Sequence, residues 1–356
     1  MKLFTVGPVA CYPMVLKAMG EQMYSHRSKE YIDLHYDTVK HLQNILGTKN
    51  SIYLFSSTGT GFMEASVRNC VKKKVLVCVN GSFGKRFVDV AKANDKDVIL
   101  IEPQLGSPIA SEMISEKLET DPEIEAVAIT HNETSAGLIN PLEELSKTVK
   151  DYGKLLFVDA VSSMGGTAIN VDKWGIDICY SSSQKCFGVP PGLGVGSVSL
   201  NALETSKEAK NKGWYFDLAI WEKYHKEGKG TPMTSTIPQV AGMNATLKFI
   251  DENGGKNWFY NLYKERNKEI RNGLSDIGLS TYPQKGYESP TVNCINAPVE
   301  VKGVTVYRAM RDKGYELAQG YGALKETTFR MGNMGYIEDG SIRTMLTALG
   351  EVIDSL

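Results

Sequence analysis

The chain has 356 residues, in which 40 Lys and Arg against 41 Asp and Glu leave a formal net charge of −1. Its hydrophobic fraction of 42% and charged fraction of 23% are typical of a soluble globular protein and argue against extensive disorder. The small net charge argues against a general nucleic-acid binder, and no apolar run approaches the ~20 residues of a membrane-spanning helix.

The first part of the chain alternates between short apolar runs and amphipathic stretches. The runs begin 23, 28, 29 and 21 residues apart, which is too wide for hairpins and fits a strand, a helix and two loops. They are VLVCV from Val75, VILI from Val98, AVAI from Ala126, LLFV from Leu155 and IDICY from Ile176. Residues 62–71, 83–94 and 141–153 carry apolar side chains on one helical face. This pattern predicts a mostly parallel sheet covered by helices on both faces.

The pattern changes beyond about residue 200. Glycines and prolines between residues 228 and 238 mark an irregular segment, and long helical patterns follow at 239–250 and 257–277. The strand-like TVNCINAP and a final helix from Ile342 complete an α+β pattern. At roughly 150 residues per domain, the length predicts about two domains. We expect a large α/β domain at residues 1–245, whose first ~15 residues pack with the small domain or a partner subunit, and a smaller domain at 246–356.

The six cysteines form no CxxC pair, and several lie in apolar, strand-like contexts. This usage is typical of reduced, buried thiols. Gly7, Pro8 and Pro13 interrupt any apolar core of an N-terminal signal peptide. We therefore expect a cytoplasmic protein.

Polar segments follow three of the apolar strands, and ligand sites of open α/β sheets lie at such carboxyl ends. The first segment, Thr58-Gly59-Thr60-Gly61, stands between IYLF and a helical pattern, where backbone N–H groups and hydroxyls would bind an anion such as phosphate. It matches neither GxGxxG nor GxxxxGK[ST], and an ordinary strand–helix turn is the alternative.

The second segment ends in Asp159, at the carboxyl end of KLLFVD. A buried carboxylate there needs a cation or hydrogen-bond donors, so a helix N-cap, a metal ligand and a partner for a protonated heterocycle are all possible. No second Asp, Glu or His stands nearby at ligand spacing, which makes a metal the least favoured of the three.

The third segment, SSSQK, ends in Lys185 and precedes the rigid loop GVPPGLG. A partly desolvated lysine at a strand end acquires a lowered pKa and can act as a Schiff-base nucleophile, whereas an ordinary surface lysine is the alternative. The three segments together offer a phosphate cradle, a carboxylate for a pyridinium nitrogen and an amine for an aldehyde. Pyridoxal 5′-phosphate (PLP) has those three functional groups.

These residues resemble the class V aminotransferases, which are fold-type I PLP enzymes, and above all the alanine–glyoxylate and serine–pyruvate aminotransferases. VDAVSS followed by SSQK-x-x-x-x-PPGL is the most diagnostic part of the resemblance, which runs nearly end to end. The matching segments are 57–69, 79–87, 130–145, 158–166, 174–194 and 329–335, together with Gly7-Pro8 and His26-Arg27-Ser28. The resemblance implies a large domain with a mostly parallel, seven-stranded sheet.

The resemblance also implies a role for each matching residue. Lys185 would carry the cofactor as a Schiff base and move the proton of the reaction, and Asp159 would keep the pyridine nitrogen protonated. The other implied cofactor contacts are Thr58, Gly59, Thr60 and Gln184 at the phosphate, Phe83 stacked on the ring, Val161 on its other face and Thr134 by a hydrogen bond. Phe83 also fits a core aromatic residue at the start of a helix.

Thr236 matches a threonine that the neighbouring subunit donates to the phosphate, so the resemblance implies a homodimer with shared active sites. A tyrosine that family members can have three positions earlier is Met233 here.

Arg330 is the expected ligand of the substrate α-carboxylate, because a guanidinium forms two parallel hydrogen bonds with a carboxylate. Arg27, in HRS, is the second candidate. The helical patterns predict solvent-exposed positions for four other arginines, Arg68, Arg86, Arg266 and Arg271, and we expect His131 to be a packing residue.

The reaction that we expect is ping-pong transamination from alanine or serine to glyoxylate or pyruvate. The 2-aminoethylphosphonate–pyruvate and ureidoglycine–glyoxylate aminotransferases have similar motifs, and Cys186 before the GVPPG loop slightly favours the former. A cysteine desulfurase is a third alternative, but it needs a cysteine on a mobile loop, and Cys294 lies in the strand-like TVNCIN. The chain contains no dinucleotide fingerprint that would indicate hydride transfer.

Overall fold

The computed structural model describes residues 1–356. The strands are β1 (Lys2–Leu3), β2 (Ser51–Phe55), β3 (Lys74–Cys78), β4 (Asp97–Ile101), β5 (Ala126–Thr130), β6 (Asn132–Glu133), β7 (Leu138–Ile139), β8 (Leu155–Asp159), β9 (Ile178–Ser182), β10 (Gly194–Val198), β11 (Val292–Asn296), β12 (Tyr315–Glu316), β13 (Ala318–Gln319) and β14 (Thr328–Gly332). The helices are α1 (Pro13–Met19), α2 (Lys29–Leu46), α3 (Gly59–Cys70), α4 (Ser82–Ala93), α5 (Ser111–Thr120), α6 (Leu142–Asp151), α7 (Val171–Trp174), α8 (Leu200–Glu208), α9 (Leu218–Lys226), α10 (Ile237–Glu252), α11 (Gly255–Asp276), α12 (Gly303–Asp312) and α13 (Ser341–Ser355), with a short 3₁₀ helix at Gly322–Leu324.

Seven strands form the central sheet in the order β2-β10-β9-β8-β5-β3-β4. Every neighbouring pair is parallel except the two pairs made by β10, which is antiparallel to both β2 and β9. The five apolar runs of the sequence are β3, β4, β5, β8 and β9, so the prediction of a mostly parallel, seven-stranded sheet is confirmed. Strand β9 begins two residues later than its apolar run, at Ile178. The carboxylate of Asp177, just before the strand, accepts hydrogen bonds from the Leu156 amide and from Lys150.

Helices cover both faces of this sheet, as the sequence predicts. Alternate side chains of a strand point to opposite faces. In β8, Phe157 packs into a cluster with α3, α4, α8 and α9, whereas Leu156 and Val158 pack into a larger cluster with α2, α6 and α10. Helices α8 and α9 lie in the stretch after residue 200 that is rich in Lys and Glu, and the sequence pattern does not predict them.

The C-terminal part of the chain has its own core. Strands β11, β14 and β13 form a three-stranded antiparallel sheet, and α11, α12 and α13 pack on it. The N-terminal strand β1 pairs with β12, and Phe4 belongs to the same core. The proposed boundary between residues 245 and 246 falls inside α10, so the chain would pass from one domain to the other along a helix. The division into two domains stays a prediction.

The hydropathy of the helices and the state of the thiols are two further features of the fold. None of the helices is long and apolar enough to cross a membrane. All six cysteines are free thiols, and five of them are buried.

Leu156 provides a test of the central core, because its side chain is completely buried in the larger cluster. We expect Leu156→Ala to lower the free energy of unfolding by about 2–5 kcal/mol, since a cavity replaces packed methyl groups. Leu200→Ala is the control, since Leu200 is 69% exposed and its loss should change stability by no more than about 0.5 kcal/mol. Urea unfolding followed by circular dichroism measures both, and equal midpoints would contradict the assigned core.

Candidate active site

A cavity of about 350 Å³ opens at the carboxyl ends of the parallel strands. Its volume lies within the usual range of small-molecule sites. The lining residues are Val6, Gly7, Thr58, Gly59, Thr60, Met63, Phe83, Arg86, Thr134, Asp159, Val161, Gln184, Lys185, Tyr321 and Arg330. The fold thus brings together ten of the twelve site residues that the sequence predicts, all except Thr236 and Arg27.

Helix α3 presents its N-terminus to this cavity. Thr58 is the N-cap residue in an extended conformation, and its side chain makes no capping hydrogen bond. The first N–H groups of a helix have no partner within the helix, so they can bind an anion. A Cβ atom on Gly59 would overlap with Cγ2 of Val161, so glycine is needed for the helix to begin this close to β8.

Lys185 lies in the turn after β9, and its side chain is only 8% exposed. Its Nζ donates a hydrogen bond to the backbone carbonyl of Val6. Burial, together with the nearby Arg330 guanidinium, lowers the pKa of Lys185 to about 8. A Cβ on Gly7 would lie 2.5 Å from this Nζ, so the N-terminal segment closes one wall of the cavity only with glycine at that position.

Asp159 is the last residue of β8 and is 4% exposed. Its Oδ1 accepts a hydrogen bond of 2.9 Å from the backbone amide of Val161. Burial raises the pKa of Asp159 to about 6, and the Val161 amide opposes this shift. The carboxyl group is therefore ionised at neutral pH, and a cationic N–H group in the cavity would be a favourable partner.

Arg330 lies in β14 and is 7% exposed. Its Nε donates to the Gln319 carbonyl at 2.9 Å and its Nη1 to the Thr134 carbonyl at 3.1 Å. Its guanidinium carbon lies 5.3 Å from the centre of the Tyr321 ring. A guanidinium has five N–H donors, so the two carbonyls fix its orientation and leave donors for a carboxylate.

Thr236 and Arg27 lie away from the cavity of their own chain. Thr236 is the N-cap residue of α10, and its buried hydroxyl has no hydrogen-bond partner. Arg27 donates to the backbone carbonyls of Lys229, Thr231 and Pro232, in the segment that precedes Thr236. Their roles in cofactor and substrate binding stay predictions.

The comparisons with known proteins identify the family. A family model described as Aminotransferase class-V matches residues 10–326. This chain belongs to the class V aminotransferase family.

Individual relatives cover nearly the whole of this class V aminotransferase. An uncharacterized aminotransferase of Methanocaldococcus jannaschii is 35% identical over 98% of this chain and 91% of its own. A serine–glyoxylate aminotransferase of Methylorubrum extorquens is 30% identical over 96% of this chain and 88% of its own. The crystal structure of an alanine–glyoxylate aminotransferase from Nostoc sp. superposes with a TM-score of 0.94 at 31% identity, covering 99% of this chain and 94% of that chain. The chain therefore shares the fold-type I architecture of these enzymes.

Class V aminotransferases are PLP enzymes, and PLP is the cofactor of this chain. The cavity fits this group. The buried Asp159 carboxylate suits a protonated pyridine nitrogen, the buried Lys185 amine suits an aldehyde, and the free N–H groups of α3 suit a phosphate. When bound, PLP supplies an electron sink for the substrate.

The prediction that Arg86 lies on an exposed helical face is wrong. Arg86 lines the cavity of the aminotransferase, and its guanidinium carbon lies 4.8 Å from the centre of the Phe83 ring. Helix α4 presents its N-terminal end to the cavity, and residues three apart share one side of a helix. The spacing of three residues between Phe83 and Arg86 was the feature of the sequence that could have placed Arg86 at the cavity. Tyr321, which stacks at 6.2 Å from Phe83, was also missed, because its loop carries no pattern that indicates a site.

His131 is buried as expected of a packing residue, and burial lowers its pKa to about 3, so it is neutral. Cys294 lies in β11, is fully buried, and has its pKa raised by burial to about 11. A cysteine desulfurase needs a mobile, ionisable cysteine. The setting of Cys294 therefore disfavours that alternative.

The lowered pKa of Lys185 predicts the pH dependence of cofactor attachment. Only the neutral amine attacks an aldehyde, so the rate at which the cofactor-free protein combines with PLP should reach half its maximum near pH 8, not near 10.5. Arg330→Gln removes a cation that lowers this pKa and should move the midpoint to higher pH, whereas Arg343→Gln, on an exposed position of α13, should not. Stopped-flow absorbance measures the rate, and a midpoint unaffected by Arg330→Gln would contradict the assigned environment.

Proposed function

We propose that this aminotransferase moves the amino group of alanine or serine to glyoxylate or pyruvate by a ping-pong mechanism. The observation that carries the proposal is the buried Arg330, which two backbone carbonyls orient in the same cavity as Lys185 and Asp159. Its remaining donors suit an α-carboxylate, which an amino acid and a 2-oxo acid share. The serine–glyoxylate and alanine–glyoxylate relatives support small substrates of this class.

Ping-pong exchange follows from a single carboxylate-binding group. Arg330 would bind the carboxylate of the amino donor, release the resulting 2-oxo acid, and then bind the carboxylate of the acceptor in the same place. A second carboxylate site is not needed, because the two substrates never occupy the cavity together. A cavity of about 350 Å³ that also takes a cofactor favours small substrates.

Lys185 would act as the acid and base of the reaction. A lysine whose pKa is about 8 gives up and regains a proton at Nζ near neutral pH far more readily than an ordinary lysine. Asp159, ionised above about pH 6, would hold a proton on the pyridine nitrogen through its carboxylate. Lys185 would thus transfer a proton, and Asp159 would keep another proton on the pyridine nitrogen.

We further propose that the active enzyme is a homodimer in which Thr236 serves the partner's phosphate site. The Thr236 hydroxyl has no partner within its own chain, and Arg27 holds the preceding segment through three carbonyls. An apolar groove beside α10, which includes Ile237 and the 52% exposed Met23, supports burial against a second copy. The free thiols support a reducing, cytoplasmic location.

We also propose that residues 1–245 and 246–356 are two domains, the second of which closes over the substrate. The C-terminal residues have a hydrophobic core of their own, which supports the division. Arg330 and Tyr321 come from this part, whereas Lys185, Asp159 and Phe83 come from the larger one. Closure would then join the carboxylate-binding group to the cofactor-binding residues.

A donor–acceptor panel tests the proposed reaction. We expect the highest kcat/KM with alanine or serine as donor and glyoxylate or pyruvate as acceptor, compared with aspartate, 2-aminoethylphosphonate, ureidoglycine and 2-oxoglutarate. Arg330→Gln should lower kcat/KM about 10- to 100-fold, because charged hydrogen bonds to the carboxylate are lost. Arg343→Gln is the matched control and should change little.

Two results, one from that panel and one from a separate assay with cysteine, would overturn the proposal. One is a higher kcat/KM with 2-aminoethylphosphonate or ureidoglycine than with alanine and serine. The other is sulfide release from cysteine that disappears in Cys294→Ala. If Arg330→Gln left KM and kcat unchanged, the carboxylate role of Arg330 would be wrong.

Two measurements test the shared active site: the mass of the protein in solution and the effect of a Thr236 substitution on PLP binding. We expect analytical ultracentrifugation to give twice the mass of the 39.2 kDa chain. Thr236→Val should weaken PLP binding about tenfold, since a hydrogen bond to the charged phosphate is lost. Thr234→Val, at an exposed position two residues earlier, is the control. A fully active monomer would contradict this proposal.

A further inference from the structure

Helix α4, which carries Phe83 into the cavity, is capped by side chains from a distant segment. Its own N-cap residue is Gly81, which has no side chain to accept the first N–H groups. The amide of Ser82 donates to Oγ of Ser135 at 2.9 Å, and the amides of Phe83 and Gly84 donate to Oε2 of Glu133 at 3.0 and 3.1 Å. Three orphan donors of this helix are thus satisfied by two residues about fifty positions away.

Glu133 is fully buried, and all of its partners are donors. Besides the two amides of α4, its Oε1 accepts from the amide of Ser135 at 3.0 Å and from the Ser135 hydroxyl at 2.6 Å. Burial raises the pKa of Glu133, and these four donors oppose that shift. The three backbone amides can only donate, so they favour the ionised carboxylate, which accepts all four bonds. The negative charge also lies at the positive end of the helix dipole.

The backbone of α4 leaves room for this contact. A Cβ on Gly81 would overlap with Cγ of Glu133 and would lie 2.6 Å from Oγ of Ser135. Any side chain at residue 81 would therefore push the Glu133–Ser135 segment away from the helix. The absence of a side chain at Gly81 and the presence of the carboxylate are thus both needed for this cap.

The same segment reaches the substrate-binding side of the cavity. Thr134, between the two capping residues, accepts from Arg330 through its carbonyl, and its hydroxyl lies 2.7 Å from Oγ of Ser162. Residues 133–135 thus connect the helix that carries Phe83 with the arginine that would bind the carboxylate. A shift of residues 133–135 would therefore move both Phe83 and Arg330.

We propose that Glu133 and Ser135 are positioning residues that hold α4 so that the Phe83 ring contacts the bound cofactor. The inference rests on PLP as the cofactor and on the stacking role that the family resemblance implies for Phe83; it does not depend on the proposed substrates. Neither Glu133 nor Ser135 lines the cavity. Both would act on the cofactor only through the backbone of α4. Burial lowers the pKa of Arg330, and the Glu133 charge opposes this shift, which helps to keep Arg330 charged.

A double-mutant cycle on PLP affinity tests this positioning role. Glu133→Gln keeps the shape of the side chain. Its NH₂ group, however, replaces a carboxylate oxygen that accepts hydrogen bonds, and so it faces other donors. We expect it to weaken the binding of PLP to the cofactor-free protein at least tenfold. In a Phe83→Ala background the same substitution should add less than about twofold, because the contact that it positions is already gone.

Ser135→Ala repeats the cycle with a smaller change and decides the outcome if Glu133→Gln does not fold. It removes the acceptor of the Ser82 amide and should weaken PLP binding at least threefold, again only when Phe83 is present. Glu112→Gln, at an exposed position of α5, is the control and should leave the affinity unchanged. Equal effects with and without the Phe83 ring, or no effect of either substitution, would overturn the proposal.

Fluorescence titration with PLP measures these affinities without any amino donor or acceptor. A failure of the cycle therefore leaves the proposed reaction standing, and a different result in the substrate panel leaves the cycle interpretable. The circular dichroism of the bound cofactor gives a second readout. It should change in Glu133→Gln, because the ring contact is altered, and should be unchanged in Glu112→Gln.

Discussion

The burial of three charged groups in one cavity is the constraint on which the site depends. Lys185, Asp159 and Arg330 are each at most 8% exposed, and an unpartnered buried charge costs free energy. The chain supplies one carbonyl for Lys185, one amide for Asp159 and two carbonyls for Arg330. These partners orient the groups and leave part of their bonding capacity for ligands. The pKa of Lys185 is lowered and that of Asp159 is raised by the same burial that prepares the cavity.

The three groups come from separate parts of the fold, which makes the site a product of the whole chain. Asp159 ends β8, Lys185 follows β9, and Arg330 lies in the C-terminal sheet. The N-terminal segment at Val6 and Gly7 closes the wall beside Lys185. A disturbance in any of these segments would reach the environment of the lysine. Two helix N-termini complete the site. That of α3 has free N–H groups that suit a phosphate, whereas that of α4 is capped by Glu133.

Much of the fold and part of the site could be predicted because they leave local signals. Apolar runs spaced by amphipathic stretches predict β3, β4, β5, β8 and β9, and polar residues that end such runs point to Asp159 and Lys185. Arg86 was assigned to an exposed face because periodicity identifies an apolar face but cannot say which end of a helix meets a cavity. Glu133 stands in a segment that the resemblance includes, yet its partners lie about fifty residues away and no spacing rule connects them.

The sequence by itself determined the fold class through strand periodicity, and the family and its cofactor through the resemblance of the TGTG, Asp159 and SSQK segments, because these signals are local in the chain. Only the tertiary structure decided how these groups interact. It buried Lys185 beside Arg330, anchored Arg330 on Thr134, and brought Glu133 onto the first turn of α4. The physical reason is that pKa values, guanidinium orientation and helix capping in this site depend on contacts between residues far apart in the chain, and such contacts exist only once the sheet and the C-terminal core have packed together.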